Sequence, residues 1–400
     1  MRIPQMSDFD LKGKRVLIRE DFNVPLKNGE VTSDLRIRAA LPTIKQALKA
    51  GAKVMLMSHL GRPSEGVFDE TFSLAPVARQ LSKLLKMEVP LIQHWLDGSK
   101  MGDAQVVMLE NVRFHHGETD NNVELSKKMA SLCDVFVMDA FATSHRAESS
   151  TCGLIKYAKE ACVGPLLISE LEALNKIMEK PARPVVAIVG GSKVSTKLAL
   201  LDSLVKKVDA LLIGGGIANT FLAAEGYTVG KSLYEPDLID EAERLVVEAK
   251  QRDAEIPIPV DMVVAEKLSE EAESYVRLAS QVDDNEKIFD IGPDTIKTFI
   301  SIIKKAKTIL WNGPVGAFEI EDFAKGTQAI AKAIAESKAF KVAGGGDTLA
   351  AIEKYKISSK IDYISTGGGA FLTVLEGKKL PVIAALEERV TKNEKNEKVA

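Results

Sequence analysis

The sequence predicts an α/β protein with two lobes, each a parallel sheet flanked by helices. Short apolar runs alternate with longer segments of helical periodicity, which is typical of parallel sheets with crossover helices. The length of 400 residues exceeds what one hydrophobic core usually organises. A periodic helix followed by two prolines, within 164–184, separates the two halves. We therefore expect two Rossmann-like lobes joined by a linker helix and hinge.

The predicted strands of the first half end in basic, acidic or amide residues. These runs are RVLIREDFN (15–23), AKVMLMSHLGR (52–62), AQVVMLENVR (104–113) and DVFVMDAF (134–141). Between the first two we expect a helix with Ser33 as N-cap and Gly51 beyond its end, kinked or split in two at Pro42. Because ligands bind beyond the carboxyl ends of parallel strands, these terminal residues are the first candidates for a site.

Cationic side chains accumulate at these predicted strand ends. In an extended segment, Arg19, Asp21 and Asn23 share one face, and Glu20 points to the other. The remaining candidates lie at or just past a strand end or in a first helical turn: Arg36, His59, Arg62, Arg113 and Arg146. An empty cluster of this kind would repel itself, so a small, highly anionic ligand is the expected partner.

The predicted strands of the second half end in glycine. The runs are VVAIVGG (185–191), ALLIGGG (210–216), FKVAGGG (340–346) and YISTGGG (363–369). Bare backbone leading into a helix can bind phosphate through its N–H groups. A helix from about Ser192 would place Lys193 and Lys197 on one side of its first turns. The chain has neither a P-loop nor a G-x-G-x-x-G motif.

Three further residues of this half are candidates for nucleotide or metal contacts. Asp347 and Thr348 fall at the predicted start of the helix that follows the third glycine run. A carboxylate there, beside three glycines, suits a magnesium ion held against phosphate oxygens. Glu319 follows the NGPVG turn, where a carboxylate could accept hydrogen bonds from ribose hydroxyls.

The composition narrows the class of protein. A net charge of -3, with 46% hydrophobic and 27% charged residues, gives no reason to expect nucleic acid or an anionic membrane as partner. The N-terminus lacks the apolar core of a signal peptide, so we expect a cytoplasmic protein. The three cysteines show no disulfide or zinc spacing and are interpreted as ordinary small side chains.

Taken together, these segments resemble the phosphoglycerate kinase family along nearly the whole chain. The matching motifs, in the order of the family, are RVLIREDFNVP, DLRIRAALPTI, SHLGRP, LENVRFHHGE, DAFATSHRAESST, GGSKVSTK, LIGGGIANTF, WNGPVGAFE, GGGDTLAA and STGGGA. The resemblance implies an N-terminal domain (1–165) that binds 3-phosphoglycerate or 1,3-bisphosphoglycerate, a linker helix and hinge (166–184), and a nucleotide-binding domain (185–370). A C-terminal segment (371–400) would return to the first domain.

The resemblance also implies roles for individual residues. The implied phosphoglycerate contacts are Arg19, Asp21, Asn23, Arg36, His59, Leu60, Gly61, Arg62, Arg113 and Arg146. The implied contacts of ADP or ATP are Lys193, Lys197, Gly215, Asn312, Glu319, Gly345, Gly346, Asp347 and Thr348, with Asp347 also binding Mg²⁺. The implied reaction moves the acyl phosphate of 1,3-bisphosphoglycerate to ADP, with Arg36, Lys193 and Lys197 as catalytic groups and a monomer as the working form.

The chain departs from the family pattern at a few positions. Glu20 stands where the family commonly has an apolar residue, and Ala142 and Ser144 alter the DAFGTAHRA pattern. Ala142 could tighten a loop that normally contains glycine.

Two other classes of protein share parts of the pattern. A nicotinamide-dependent oxidoreductase would have α/β lobes, but its glycine fingerprint is missing. A non-catalytic two-lobed anion-binding protein would explain the arginines but not the Lys193 and Lys197 pair.

Overall fold

The computed structural model describes residues 3–98 and 101–397 and divides the chain into two compact units. The first unit comprises Met1–Glu172 with Lys379–Ala400, and the second comprises Ala173–Lys378. Each unit contains a parallel sheet flanked by helices, so the predicted fold class is confirmed. No helix among the described residues is long and apolar enough to cross a membrane.

The first unit is built on a six-stranded parallel sheet with the order β5-β6-β4-β1-β7-β8, and β2 and β3 form a small hairpin. The strands are β1 (Arg15–Arg19), β2 (Leu26–Lys27), β3 (Glu30–Val31), β4 (Lys53–Met57), β5 (Leu91–Ile92), β6 (Val106–Leu109), β7 (Val135–Met138) and β8 (Glu160–Val163). The helices are α1 (Leu35–Lys49), α2 (Ala75–Leu85), α3 (Val123–Ser131), α4 (Leu154–Tyr157) and α5 (Pro165–Met178).

The four charged strand ends meet at one edge of this sheet. Strands β6, β4, β1 and β7 are neighbours, and Arg19 at the end of β1 is in register with Met57 of β4 and Met138 of β7. Their apolar residues are buried almost completely. The predicted convergence of the strand ends is therefore confirmed.

Helix α1 differs from the prediction at its start, and it does not take one of the two forms that were expected at Pro42. Asp34, not Ser33, precedes its first helical residue, and the helix continues through Pro42 without splitting into two pieces. Pro42 is exposed, so the Arg38 carbonyl that loses its intrahelical partner faces solvent, where water can bind it.

Helix α5 forms where the linker helix was predicted. Leu167, Leu174 and Ile177 of the predicted apolar face are buried. The division between the two units falls inside this helix, between Glu172 and Ala173.

The second unit contains a five-stranded parallel sheet with the order β10-β9-β14-β15-β16 and an antiparallel sheet with the order β12-β11-β13. The strands are β9 (Val185–Gly191), β10 (Ala210–Gly214), β11 (Asp261–Ala265), β12 (Tyr275–Leu278), β13 (Lys287–Ile291), β14 (Thr308–Asn312), β15 (Phe340–Gly344) and β16 (Tyr363–Ser365). The helices are α6 (Leu198–Val205), α7 (Gly215–Ala224), α8 (Ile239–Gln251), α9 (Pro293–Lys305), α10 (Lys325–Glu336), α11 (Gly346–Lys354) and α12 (Gly368–Leu375).

The last helix, α13 (Pro381–Glu397), packs on the first unit. The Val382 N–H donates to the Ser144 carbonyl at 3.3 Å, and the Arg389 guanidinium donates to the Ile155 carbonyl at 2.9 Å. Residues 371–378, which the domain prediction placed with this segment, belong to the second unit. The three cysteines are buried and free, in keeping with their interpretation as small side chains.

Candidate active site

The first unit contains a cavity of about 560 Å³ that three of the predicted arginines line together. Arg62 follows β4, Arg113 follows β6 and Arg146 follows β7, so neighbouring strands supply them. The other lining residues are Pro63, Glu65, Thr119, Ala147 and Glu148. Three guanidinium groups around one cavity make it suitable for a multiply charged anion.

A buried carboxylate holds two of these arginines. Glu148 is 3% exposed, and its Oε1 accepts a hydrogen bond from Arg113 Nη2 at 3.2 Å and lies 3.7 Å from Arg146 Nη1. Arg113 Nη1 also donates to the Gly61 carbonyl at 2.7 Å. Glu148 thus orients the cations and partly offsets their charge. The sequence prediction missed it, although it lies two residues beyond Arg146.

His59 is a neutral hydrogen-bond donor in this cluster. Burial lowers its pKa well below the usual value, and the positive charges of Arg19, Arg113, Arg146 and Arg36 lower it further. Its Nδ1 lies 3.3 Å from Arg19 Nη2, and because a guanidinium can only donate, Nδ1 must accept. The proton of the neutral ring is therefore on Nε2.

Arg19 is the last residue of β1 and is fully buried. Besides contacting His59, it donates from Nε to Ser150 Oγ at 2.9 Å and from Nη1 to the Glu20 carbonyl at 2.6 Å. Ser150 in turn donates to Glu118, a carboxyl whose pKa burial raises to about 7. Through the contact with Nδ1, Arg19 orients the His59 ring.

Asp21, Asn23 and Arg36 form a second connected group. Arg36 Nη1 lies 2.8 Å from both Asp21 Oδ2 and the Asn23 carbonyl oxygen. Asn23 Oδ1 accepts the Gly61 N–H at 2.9 Å. Gly61 has φ +60°, and a Cβ there would lie 2.3 Å from the Phe72 ring, so this turn requires glycine.

The SHLGR turn is fixed by a residue that sequence reasoning did not select. Asn111 Nδ2 donates to the carbonyls of Leu60, at 2.8 Å, and Phe72, at 2.9 Å. Leu60 itself is buried, and it is not among the residues that line the cavity. Asn111 lies in LENVR, two residues before Arg113, which is the signal that could have identified it.

In the second unit, the side chain of Lys197 forms two hydrogen bonds to Asn312, another residue predicted to contact the nucleotide. Its Nζ donates to the Asn312 carbonyl at 3.2 Å and to Asn312 Oδ1, and Asn312 Nδ2 donates to the Gly344 carbonyl at 2.7 Å. Burial lowers the pKa of Lys197 to about 8, and Asp347 offsets part of the effect. Lys197 is thus partly desolvated and lies near the third glycine run.

The helix that was predicted to begin near Ser192 begins six residues later, at Leu198. Helix α6 begins at Leu198, Lys197 is its N-cap, and Lys193 lies exposed in the preceding turn. Thr196 Oγ1 donates to the Lys193 carbonyl, and Glu235 accepts from the Ser195 N–H at 2.8 Å. These side-chain bonds stabilise a turn where the spacing predicted helix.

The glycine runs serve two different purposes. A Cβ at Gly190 would lie 1.7 Å from the Pro314 carbonyl oxygen, and one at Gly214 would lie 2.3 Å from the Val315 Cα, so both permit close backbone packing. The Gly215 N–H already donates to the Val315 carbonyl at 3.1 Å. By contrast, Gly346 has open space around it and begins helix α11.

The start of α11 is the part of this unit best suited to phosphate. Gly345 has φ +101° and precedes the helix, and the side chain of Asp347 is exposed in its first turn. Thr348 is fully buried, and its Oγ1 accepts the Gly313 N–H at 2.7 Å, which ties the NGPVG loop to this helix. Glu319 is exposed just beyond that loop.

The described residues contain no group of three or more His, Cys, Asp or Glu side chains that could hold a metal ion. The exposed carboxylate of Asp347, beside the open space at Gly346, nevertheless fits Mg²⁺, which keeps waters and often binds one or two carboxylates together with substrate phosphates. Asp347 is the residue that could hold it.

The fold and these two groups of residues define a class: a two-domain α/β protein with a guanidinium-lined cavity on one unit and a lysine beside a glycine-rich helix start on the other.

The comparisons with known proteins identify the family. The family model described as phosphoglycerate kinase matches residues 6–378. A phosphoglycerate kinase of Nitratidesulfovibrio vulgaris is 58% identical over 98% of this chain and 100% of the relative. Solved phosphoglycerate kinases from Coxiella burnetii (55% identity, TM-score 0.93, 97% and 100% coverage) and Pyrococcus horikoshii (34%, 0.81, 96% and 98%) are also similar. The chain belongs to the phosphoglycerate kinase family. It is therefore an enzyme of the kinase class and neither an oxidoreductase nor a passive binding protein.

Proposed function

We propose that this enzyme transfers the acyl phosphate of 1,3-bisphosphoglycerate to ADP, reversibly and with Mg²⁺, giving 3-phosphoglycerate and ATP. The observation that carries the proposal is the convergence of Arg62, Arg113 and Arg146 on one cavity in a chain of this family. The nucleotide follows from the family, which uses ATP and ADP.

The first unit would bind phosphoglycerate through its strand ends. The ligand carries a phosphate and a carboxylate, and the arginines of the cavity match these groups in charge and geometry. The His59 Nε2–H can donate to a ligand oxygen without adding a positive charge. Asp21 and Asn23, held by Arg36, would recognise the hydroxyl group.

The second unit would bind the nucleotide phosphates at the start of α11. The N–H groups at Gly345 and Gly346 and the Lys197 ammonium group would contact phosphate oxygens. Mg²⁺, held by Asp347 and the nucleotide, would neutralise charge on the phosphate chain. Asn312 would orient Lys197, and Glu319 would accept hydrogen bonds from the ribose.

The transfer needs no general base, because the attacking oxygen, a carboxylate or a β-phosphate oxygen, is already ionised at neutral pH. The protein must bring two anions into line and stabilise charge on the transferring phosphoryl oxygens. We propose that Arg36 and Lys197 stabilise the charge on the transferring phosphoryl group. Lys193 and the amides of 344–346 would assist.

In-line transfer also requires the two half-sites to meet during the reaction and to exclude water, which would hydrolyse the acyl phosphate. We place the hinge within 164–184, the segment that contains α5. Small-angle scattering should show compaction when both substrates are added. An unchanged radius of gyration would argue against closure.

The activity is tested by a coupled assay. Purified protein, ATP, Mg²⁺ and 3-phosphoglycerate are mixed with glyceraldehyde-3-phosphate dehydrogenase and NADH, and NADH oxidation is followed. We expect oxidation that depends on every component. A folded protein without this activity would refute the proposal. We further propose that the enzyme acts as a monomer in the cytoplasm, and light scattering during gel filtration tests the monomer.

A further inference from the structure

Glu20 is a buried acid that the proposed reaction does not use. It directly follows β1, is fully buried, and its backbone N–H donates to the Met57 carbonyl at 2.9 Å. Its side chain contacts Asp139, which follows β7 and is also fully buried. Two carboxyl groups therefore share one interior site at the ends of the neighbouring strands β1 and β7.

Asp139 is surrounded by hydrogen-bond donors. Its Oδ1 accepts the Leu167 N–H at 3.0 Å, its Oδ2 accepts the Thr43 hydroxyl, and the Leu166 N–H also bonds to it. It thus satisfies the first turn of α5, where a negative charge is favourable. Burial raises the pKa of Asp139 to about 6, although these donors oppose the shift. Asp139 is the member of the pair that carries the charge at neutral pH.

Glu20 has the opposite environment. Neither of its carboxyl oxygens meets a donor among residues 3–98 and 101–397. The charged groups facing it are Asp139, Asp21 and Arg19, the last through a weaker attraction. Burial and the charge of Asp139 raise the pKa of Glu20 well above its usual value. A protonated Glu20 can donate its O–H to Asp139, whereas two ionised carboxylates would repel each other.

We propose that the proton on Glu20 is a switch for phosphoglycerate binding, an inference that rests on the function proposed for this site. While protonated, Glu20 donates to Asp139 and holds the start of the loop that carries Asp21 and Asn23. When it ionises, repulsion from Asp139 and Asp21 displaces this loop, and with it the ion pair between Asp21 and Arg36. Phosphoglycerate affinity then falls as the pH rises, while the nucleotide site keeps its own pH dependence.

The test compares the wild type with Glu20→Gln and Glu20→Leu between pH 6 and 10. Glutamine keeps a donor for Asp139 but cannot ionise, and leucine removes the titrating group altogether. In the wild type, KM for 3-phosphoglycerate should rise on the order of 10-fold per pH unit once Glu20 ionises. Both variants should lose this rise. Asp290→Asn is the matched control, because Asp290 is a buried acid of the other unit with a pKa of about 7, and this variant should keep the rise.

Thermal unfolding without substrate separates this switch from the proposed function. The folded pKa of Glu20 lies above its unfolded value, so its contribution to stability is fully present at acid pH and is lost as the pH rises towards the folded pKa. The Tm of Glu20→Gln minus the Tm of the wild type should therefore increase with rising pH. A wild-type KM that stays flat to pH 10, or a Tm difference independent of pH, would overturn the switch. A wild type inactive with 3-phosphoglycerate at pH 7 would instead refute the function.

Discussion

The lowered pKa of Lys197 predicts how nucleotide use depends on pH. With a pKa of about 8, this lysine is charged in about nine of ten molecules at pH 7 and in about one of ten at pH 9. If only the charged form binds phosphate, kcat/KM for ATP falls about 10-fold over this range, since kcat/KM for ATP reports the enzyme whose nucleotide site is empty. The turnover number kcat should fall less, because bound phosphate oxygens favour the ammonium form and raise the pKa again.

The assay is the coupled reaction with saturating 3-phosphoglycerate and varied MgATP between pH 7 and 9. Lys197→Arg keeps its charge throughout, so its kcat/KM should be lower at pH 7 but nearly flat. Lys193→Arg is the matched control and should keep the wild-type fall, because Lys193 is exposed and lies outside the contact with Asn312. An equal fall in Lys197→Arg would refute the assignment of the titration to Lys197.

Three further results are expected. Arg36→Ala should lower kcat at least ~100-fold, the scale of a lost transition-state donor, and change ATP binding little by calorimetry; near-normal turnover would remove Arg36 from the mechanism. Gly190→Ala should lower the free energy of unfolding by about 3 kcal/mol or more, because its Cβ would lie 1.7 Å from the Pro314 carbonyl oxygen. Gly346→Ala is the control: its Cβ would lie in open space, so calorimetry should give the wild-type Tm. His59 should remain neutral, with its proton on Nε2, between pH 6 and 8 in ¹⁵N NMR spectra, because burial and four arginines depress its pKa; a titration near pH 6.5 would contradict its placement.

Much of the fold could be predicted because it depends on local pattern. Each quoted apolar run of the first half contains a strand of one sheet, and each glycine-ended run contains a strand of the other. Helix α1 shows where pattern fails: the effect of Pro42 depends on whether the carbonyl that it leaves unpaired is exposed, which spacing does not reveal. The start of α6 was missed because the turn before it is held by Glu235, a residue 40 positions further along the chain.

The cationic residues of the candidate site could be predicted from the sequence, but the residues that hydrogen-bond to them and to the neighbouring turns were missed. Parallel strands bring Arg62, Arg113 and Arg146 to one edge of the sheet, and the alternation of apolar runs with helical segments predicts parallel strands. Glu148 and Asn111 were missed, although each lies two residues from a predicted arginine, because their roles are contacts to arginines and to the carbonyls of distant turns. Glycine spacing likewise cannot separate Gly190, which permits close packing, from Gly346, which lies in open space.

An enzyme that forms an acyl phosphate from ATP and 3-phosphoglycerate can be identified by trapping that product chemically. Wild-type protein is incubated with ATP, Mg²⁺, 3-phosphoglycerate and hydroxylamine, which converts an acyl phosphate to a hydroxamate. We predict one hydroxamate for each ADP released, with none formed when 3-phosphoglycerate is left out. Release of ADP without hydroxamate, or no release of ADP from folded protein, would refute the proposed acyl-phosphate transfer.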